Sequence, residues 1–323
     1  MPVETKPAPQ RRRLTVKPTL LGDRIFFGIT TGTAYFSIVL VVLVLIFLMI
    51  RAWPAFQHEG IGFITGSKWD DSVQPMIMQI FPMLYGSILL AILGVILAVP
   101  MAIALAYLIE FLAPKPIARV VTLLVDLLAA LPSVVIGLWG LFVFSPVAEG
   151  WAKLLNHYLG WLPLFANTSG NFSRSPFIAG WIVAVMIVPI ITSVTREIFS
   201  QMDRDLINAA KALGGSMAST FTKVILPTAS GGIVGGTLLG LGRALGETVA
   251  IFFVLNLSFD INWADLTEAR GGSIASMILG KLGNASDYER SGLMAAGVVL
   301  FITTLLINFL AGYIVNRAQP WRK

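Results

Sequence analysis

The chain has 323 residues, 56% of them hydrophobic and only 12% charged, and its mean hydropathy is +0.81. A soluble domain carries about 25% charged residues, so half the usual solubilising surface is missing and much of this chain must face lipid. The absence of cysteine excludes a disulfide scaffold, thiol catalysis and Cys-ligated metal. A net charge of +6 has two readings, a nucleic-acid surface or the orientation of a membrane protein, and the positions of the basic residues decide between them.

Residues 1–28 read as a basic tail, polar and rich in Pro and Arg, expected to be disordered up to about Pro18. The apolar run from Ile29 to Ile50 is longer than the ~7–15 residues of a signal-peptide core and reads as a retained membrane helix, with an outer loop to residue 76. Further apolar stretches lie at about 77–112, 117–145, 177–199, 229–256 and 291–316. About 20 helical residues cross a ~30 Å hydrocarbon core, so these are five more spans. The second contains Pro100 and is read as one kinked helix whose last part ends near Glu110, before Pro114 and Pro116. The expected fold is an all-α membrane protein with six transmembrane helices, a core over 77–316 that includes a loop at 200–228, and a tail at 317–323.

Six spans put both termini on one side. Of the 23 Lys and Arg residues, six precede the first span, two lie in 113–119, four in 196–224 and three after the last span, which makes 15 on the side of the termini. Seven lie on the other side, and Arg243 falls within a span. The positive-inside rule then places both termini in the cytoplasm. The basic balance is topology, and the expected partner is a lipid bilayer rather than nucleic acid. Two outer segments have substance. Residues 146–176, with Trp151, Lys153, Tyr158 and Trp161, resemble an amphipathic interfacial helix. Residues 257–290 carry Asp260, Asp265, Glu268, Asp287 and Glu289. Either segment docks an external partner or covers the outer face.

Several chemistries are missing. The only histidines, His58 and His157, fall in outer loops, so no span offers a base for a serine nucleophile. His58-Glu59 lacks the second histidine of a zinc-binding helix. The pairs Gly235-Gly236 and Gly240/Gly242 sit in a membrane helix, where small residues signal close packing rather than a phosphate cradle. No enzyme activity, bound cofactor or metal is expected of this chain itself, and work driven by ATP needs a separate ATPase.

Three ionisable residues fall within the expected spans: Asp126, Arg243 and Glu247. Each costs roughly 2.5–3.5 kcal/mol to insert, so each is a functional candidate. Arg243 and Glu247, four apart, are expected on one helical face and close enough to pair. A structural salt bridge is one reading. The other is a charged constriction, because a guanidinium fork suits a tetrahedral oxyanion and an adjacent carboxylate keeps the ion from binding too tightly. Asp126 either pairs with a neighbouring helix or lines the path, and Pro132-Ser133 and Gly137 after it predict a kink that frees backbone carbonyls toward a cavity.

The segment Asp205-Leu206-Ile207-Asn208-Ala209-Ala210-Lys211-Ala212-Leu213-Gly214-Gly215 predicts a short amphipathic helix stopped by Gly214. Together with Val224-Ile225-Leu226-Pro227 it resembles the E-A-A-x3-G-x9-I-x-L-P loop of permease subunits in binding-protein-dependent ABC importers. The spacing fits throughout, with Asn208 in place of Glu and Val224 in place of Ile. Within that family the stretches Val125–Ser133 with Gly137-Leu138-Trp139-Gly140, Thr195–Phe199 and Gly242–Thr248 are similar to the C-type permeases of high-affinity phosphate importers, over roughly 77–316. A-type permeases have a similar Arg-containing stretch.

The resemblance implies a type I ABC importer permease fold in a bacterial inner membrane. It implies a homologous second permease (PstA-like), two copies of a cytoplasmic ATPase (PstB-like) that bind ATP and Mg, and an external phosphate-binding protein (PstS-like). On this reading Arg243, Glu247, Asp126, Ser133 and Thr248 line the substrate path. Asp205, Asn208, Ala209, Ala210, Gly214, Leu226 and Pro227 belong to the ATPase-coupling segment. An ion-coupled secondary anion carrier is the alternative; no convincing internal repeat is visible between 29–145 and 177–316.

Overall fold

The computed structural model describes residues 21–261 and 265–318, with side chains described as far as Tyr313. Its longer helices are α1 (Leu21–Glu59), α2 (Phe81–Leu112), α3 (Lys115–Ala130), α4 (Ser133–Leu159), α5 (Pro176–Ser200), α6 (Arg204–Ala212), α7 (Met217–Leu245), α8 (Val249–Val254), α9 (Ile274–Lys281) and α10 (Asp287–Ala318). A two-residue antiparallel ribbon pairs β1 (Trp69–Asp70) with β2 (Ile77–Met78). Six of the helices, α1, α2, α4, α5, α7 and α10, are long and apolar enough to cross a membrane. The chain divides into two compact units at Phe47. The first contributes only the helical residues 21–47, and the core described below belongs to the second.

Proline sets several helix boundaries. The residue before a proline is pushed out of the helical region, and Leu131 before Pro132 is extended with ψ 133°. That single peptide separates α3 from α4. Wide turns precede three other prolines: 108–112 before Pro114, 140–144 before Pro146, and 221–225 before Pro227. A proline lacks an N–H and clashes with the carbonyl four residues back, and at Pro146 and Pro227 the widened turn relieves the clash without breaking the helix, whereas α2 ends before Pro114. In α4 the buried Ser145 hydroxyl donates to the Gly140 carbonyl at 2.8 Å, which satisfies that polar group inside the helix.

α5 is the central helix, with Ile178, Ile182, Val183, Ile187 and Ile191 all buried. α2 and α7 lie against it through small residues. A Cβ built at Gly94 of α2 would meet Val183 at 2.6 Å. On α7, Gly232 faces Ile198, Gly236 faces Val194 and Gly240 faces Ile191. This antiparallel register, one glycine per turn, is the close packing that the glycine pairs predict, although it uses Gly236 and Gly240 and leaves Gly235 facing open space.

The six expected spans are present, but their limits differ. The third is not 117–145: α3, about 24 Å long at 1.5 Å per residue, is a separate amphipathic helix, and the span is α4. The expected interfacial helix at 146–176 is therefore mostly the second half of α4, with Trp151, Lys153 and Tyr158 on its last turns. The fifth span is not 229–256: it starts at Met217 and stops at Leu245, which draws Leu226 and Pro227 out of the 200–228 loop and into α7. The first span begins at Leu21, within what the sequence suggests is tail. The rest of that tail, 1–20, and residues 319–323 lie outside the described residues.

Candidate functional site: the break after α7

α7 brings Arg243 to the middle of the bundle. Gly240, one turn earlier, packs on Ile187 and Ile191 near the midpoint of α5, so Arg243 lies at about half the depth of that span. Arg243 is exposed. The helix stops at Leu245, and Gly246, Glu247 and Thr248 form a non-helical link before the short α8. The expected i, i+4 pairing of Arg243 with Glu247 is consequently absent, because the helix ends between them. Glu247 is buried at 6% exposure and turns inward, where its Oε1 accepts the Ala250 N–H at 3.2 Å. The carboxylate caps the first turn of α8. Arg243 has no ion-pair partner among the described residues.

α4 runs beside α8 in the same direction. Gly137 touches Ala250, and Gly140 touches Val254. Four residues back along each segment are Ser133 and Gly246, so the N-terminus of α4, where N–H groups lack intrahelical partners, lies level with the break. Ser133 is half-buried, and the Thr248 hydroxyl donates to the Gly246 carbonyl at 3.1 Å. The break thus holds an uncompensated guanidinium and the Thr248 hydroxyl, with the N-terminus of α4 and Ser133 at the same level and the one carboxylate committed to backbone. Such a set favours an anion.

Asp126 is not part of it. It sits exposed on α3, outside the six spans, two turns before the Pro132 break, and no hydrogen bond or ion pair among the described residues joins it to Arg243. Asn308 of α10 is a residue the sequence reading passed over. Its amide lies against Gly242, and its Oδ1 is buried without a hydrogen-bond partner. Its signal was a lone asparagine in an apolar run.

At one end of the bundle α6 forms the predicted short helix. The Asp203 carboxylate accepts the Asp205 N–H at 2.8 Å and caps its start. Gly214 ends it in the left-handed region at φ +83°, with open space around its Cα, so backbone geometry rather than crowding demands glycine there. α6 has two faces. Buried Ile207 and the exposed Arg204, Asn208 and Lys211 line a cavity toward the spans, whereas Asp205, Leu206, Ala209 and, just past the helix end, Leu213 are exposed and do not line it.

Ile207 joins a cluster with Phe199, Met202, Ile225 and Ile233, and Leu226 packs against the same cluster. The rings of Tyr107 and Phe221 approach to 4.4 Å between centroids. Arg204 pairs with Glu110 at 2.8 Å and lies over Phe111. Of the expected coupling residues, Asp205 and Ala209 face outward. Asn208 lines the cavity, Ala210 is half-buried, and Leu226 is an anchor. Leu213, 90% exposed, is the most conspicuous outward side chain and was not singled out from sequence, although an apolar residue beside the terminating glycine was its signal.

At the opposite end, two acidic residues prove structural. Glu268, 1% exposed, pairs with Arg270 at 3.1 Å and accepts from Thr168. Glu289 accepts from Trp69 Nε1 and Lys281. Burial pushes the Asp265 carboxyl above its usual range, helped by Glu268 and opposed by Arg270.

Residues 98–321 match the family described as binding-protein-dependent transport system inner membrane component. The chain belongs to that family. It is 34% identical over 308 residues to "Phosphate transport system permease protein PstC 2" of Mycobacterium tuberculosis, covering 94% of each chain. It is 36% identical over 300 residues to the PstC permease protein of Haemophilus influenzae, covering 92% of this chain and 94% of that one. Among solved structures, a bacterial alginate ABC transporter chain superposes with a TM-score of 0.61 at 16% identity, covering 93% and 96% of the two chains. That likeness fixes the permease fold. The chain is a multi-pass inner-membrane transporter subunit and not an enzyme.

Proposed function

We propose that this chain is the C-type permease of an ATP-driven importer of inorganic phosphate, forming half of the translocation path with a homologous A-type permease. The observation that carries the substrate reading is the exposed, unpaired Arg243 at mid-depth beside the 246–248 break, level with the N-terminus of α4. A tetrahedral dianion finds there a bidentate cation and, at the same level, the Ser133 hydroxyl, while the carboxylate of Glu247 is turned away. Two named phosphate permeases that match nearly the whole chain support the same cargo.

In this reading the α6 end is cytoplasmic, as are both termini, in keeping with the charge asymmetry. The outward face of α6, with Asp205, Leu206, Ala209 and Leu213, seats in one copy of a two-copy ATPase that binds ATP and Mg. The far end meets an external phosphate-binding protein. The aromatic cluster under α6 transmits movement of the ATPase to α2, α5 and α7 together.

The test is uptake of radiolabelled phosphate into vesicles that contain the reconstituted complex and its binding protein. Uptake is expected to require ATP on the α6 side and to persist when proton and sodium gradients are collapsed. Uptake driven by an ion gradient without ATP would overturn the proposal in favour of a secondary carrier.

A further inference from the structure

Beneath α6 lies a cavity of about 100 Å³, bounded by α6, the last turns of α2 and the first turns of α7. Its polar lining consists of Arg204, Asn208, Lys211 and Thr220, and Tyr107 and Phe111 close one side. Thr220 is buried at 3% exposure, and its Oγ1 has no hydrogen-bond partner. A buried hydroxyl of that kind nearly always has a partner, so an acceptor or donor is missing from the site. Lys211 forms no ion pair among the described residues. Arg204 gives one terminal nitrogen to Glu110 and keeps further N–H donors. The lining holds two cations and no carboxylate, because position 208 is a neutral asparagine. The volume suits a group of a few heavy atoms, since a water takes about 30 Å³.

We propose that this cavity binds a phosphate-type anion, at a site separate from the path at Arg243. The group is either free inorganic phosphate or the headgroup phosphate of an anionic phospholipid. Its oxygens accept from Thr220 Oγ1, the Asn208 amide, Lys211 Nζ and Arg204. The bound anion ties α6 to α2 and α7 at the hinge between the coupling helix and the spans. Occupancy therefore sets how firmly the ATPase is linked to the path.

The experiment uses the complete permease–ATPase complex carrying Arg243→Gln, so that the proposed path does not contribute. In phosphatidylcholine nanodiscs without nucleotide, equilibrium dialysis with radiolabelled inorganic phosphate reads the free ion. Native mass spectrometry after exposure to phosphatidylglycerol reads the lipid. One of the two is expected to bind. Thr220→Val and Lys211→Gln are each expected to weaken it roughly tenfold, the effect of losing one hydrogen bond to a charged group. Thr220→Ser, which keeps the hydroxyl, is expected to bind as the parent does, and this separates loss of a ligand from loss of fold. Binding of neither species, or binding unchanged in both Thr220→Val and Lys211→Gln, would overturn the proposal.

Discussion

The two ends of α7 answer the same problem, an interruption in a membrane helix, in opposite ways. At its start Pro227 removes a donor, and the chain widens the turn at 221–225 while keeping its backbone bonds. The segment is then locked by the Phe199, Ile207 and Ile225 cluster and the Tyr107–Phe221 contact. At its finish the chain abandons the helix at Gly246, and only the Glu247 carboxylate repairs the restart at Ala250. The first interruption is satisfied from within. The second leaves a cation and polar groups facing outward, and irregular backbone at that depth is tolerated only where it lines a cavity or is buried in protein.

Three substitutions would break or sharpen this contrast. Arg243→Gln keeps a polar side chain and removes the charge; phosphate uptake is expected to fall about a hundredfold, the upper range for losing a charge-assisted hydrogen bond. The complex should still assemble, as checked by co-purification of the ATPase, and normal uptake by a well-assembled variant would remove Arg243 from the path. Gly214→Val acts at the other end. A β-branched residue in the left-handed region costs about 1–2 kcal/mol, so ATPase retention on purification should weaken by about tenfold. Undiminished, coupled hydrolysis would show that α6 does not seat the ATPase. Glu247→Gln should have the smallest effect, a few-fold change in uptake at most, because an amide oxygen still accepts the Ala250 N–H. If it proves as damaging as Arg243→Gln, the two residues interact during transport even though they are apart in this conformation.

The lengths of the apolar runs made six spans readable, and Gly214 at the end of a polar-apolar alternation made α6 readable. What misled was the assumption that an apolar run is one helix. Ile117 to Ser145 is apolar for most of its length, yet Pro132 divides it, and the break at one peptide moves Asp126 out of the span altogether. Gly246 does the same to the Arg243–Glu247 pair, because four residues make one face only if the helix persists between them. Proline and glycine carried that information locally. Hydropathy averaged it away. The cavity beneath α6 was beyond reach for another reason: Thr220 and Lys211 meet only when 217–225 folds back on α6, a tertiary event with no periodic signature.

Leu213 bears on the life of the protein before it ever works. A leucine left 90% exposed on the solvent-facing side of a short helix is unfinished surface, the sort of apolar spot that a partner normally covers. If the proposed ATPase seat is right, a permease made without its ATPase would carry that spot uncovered into the aqueous compartment. On that proposal the cellular lifetime of this chain should follow the supply of its ATPase.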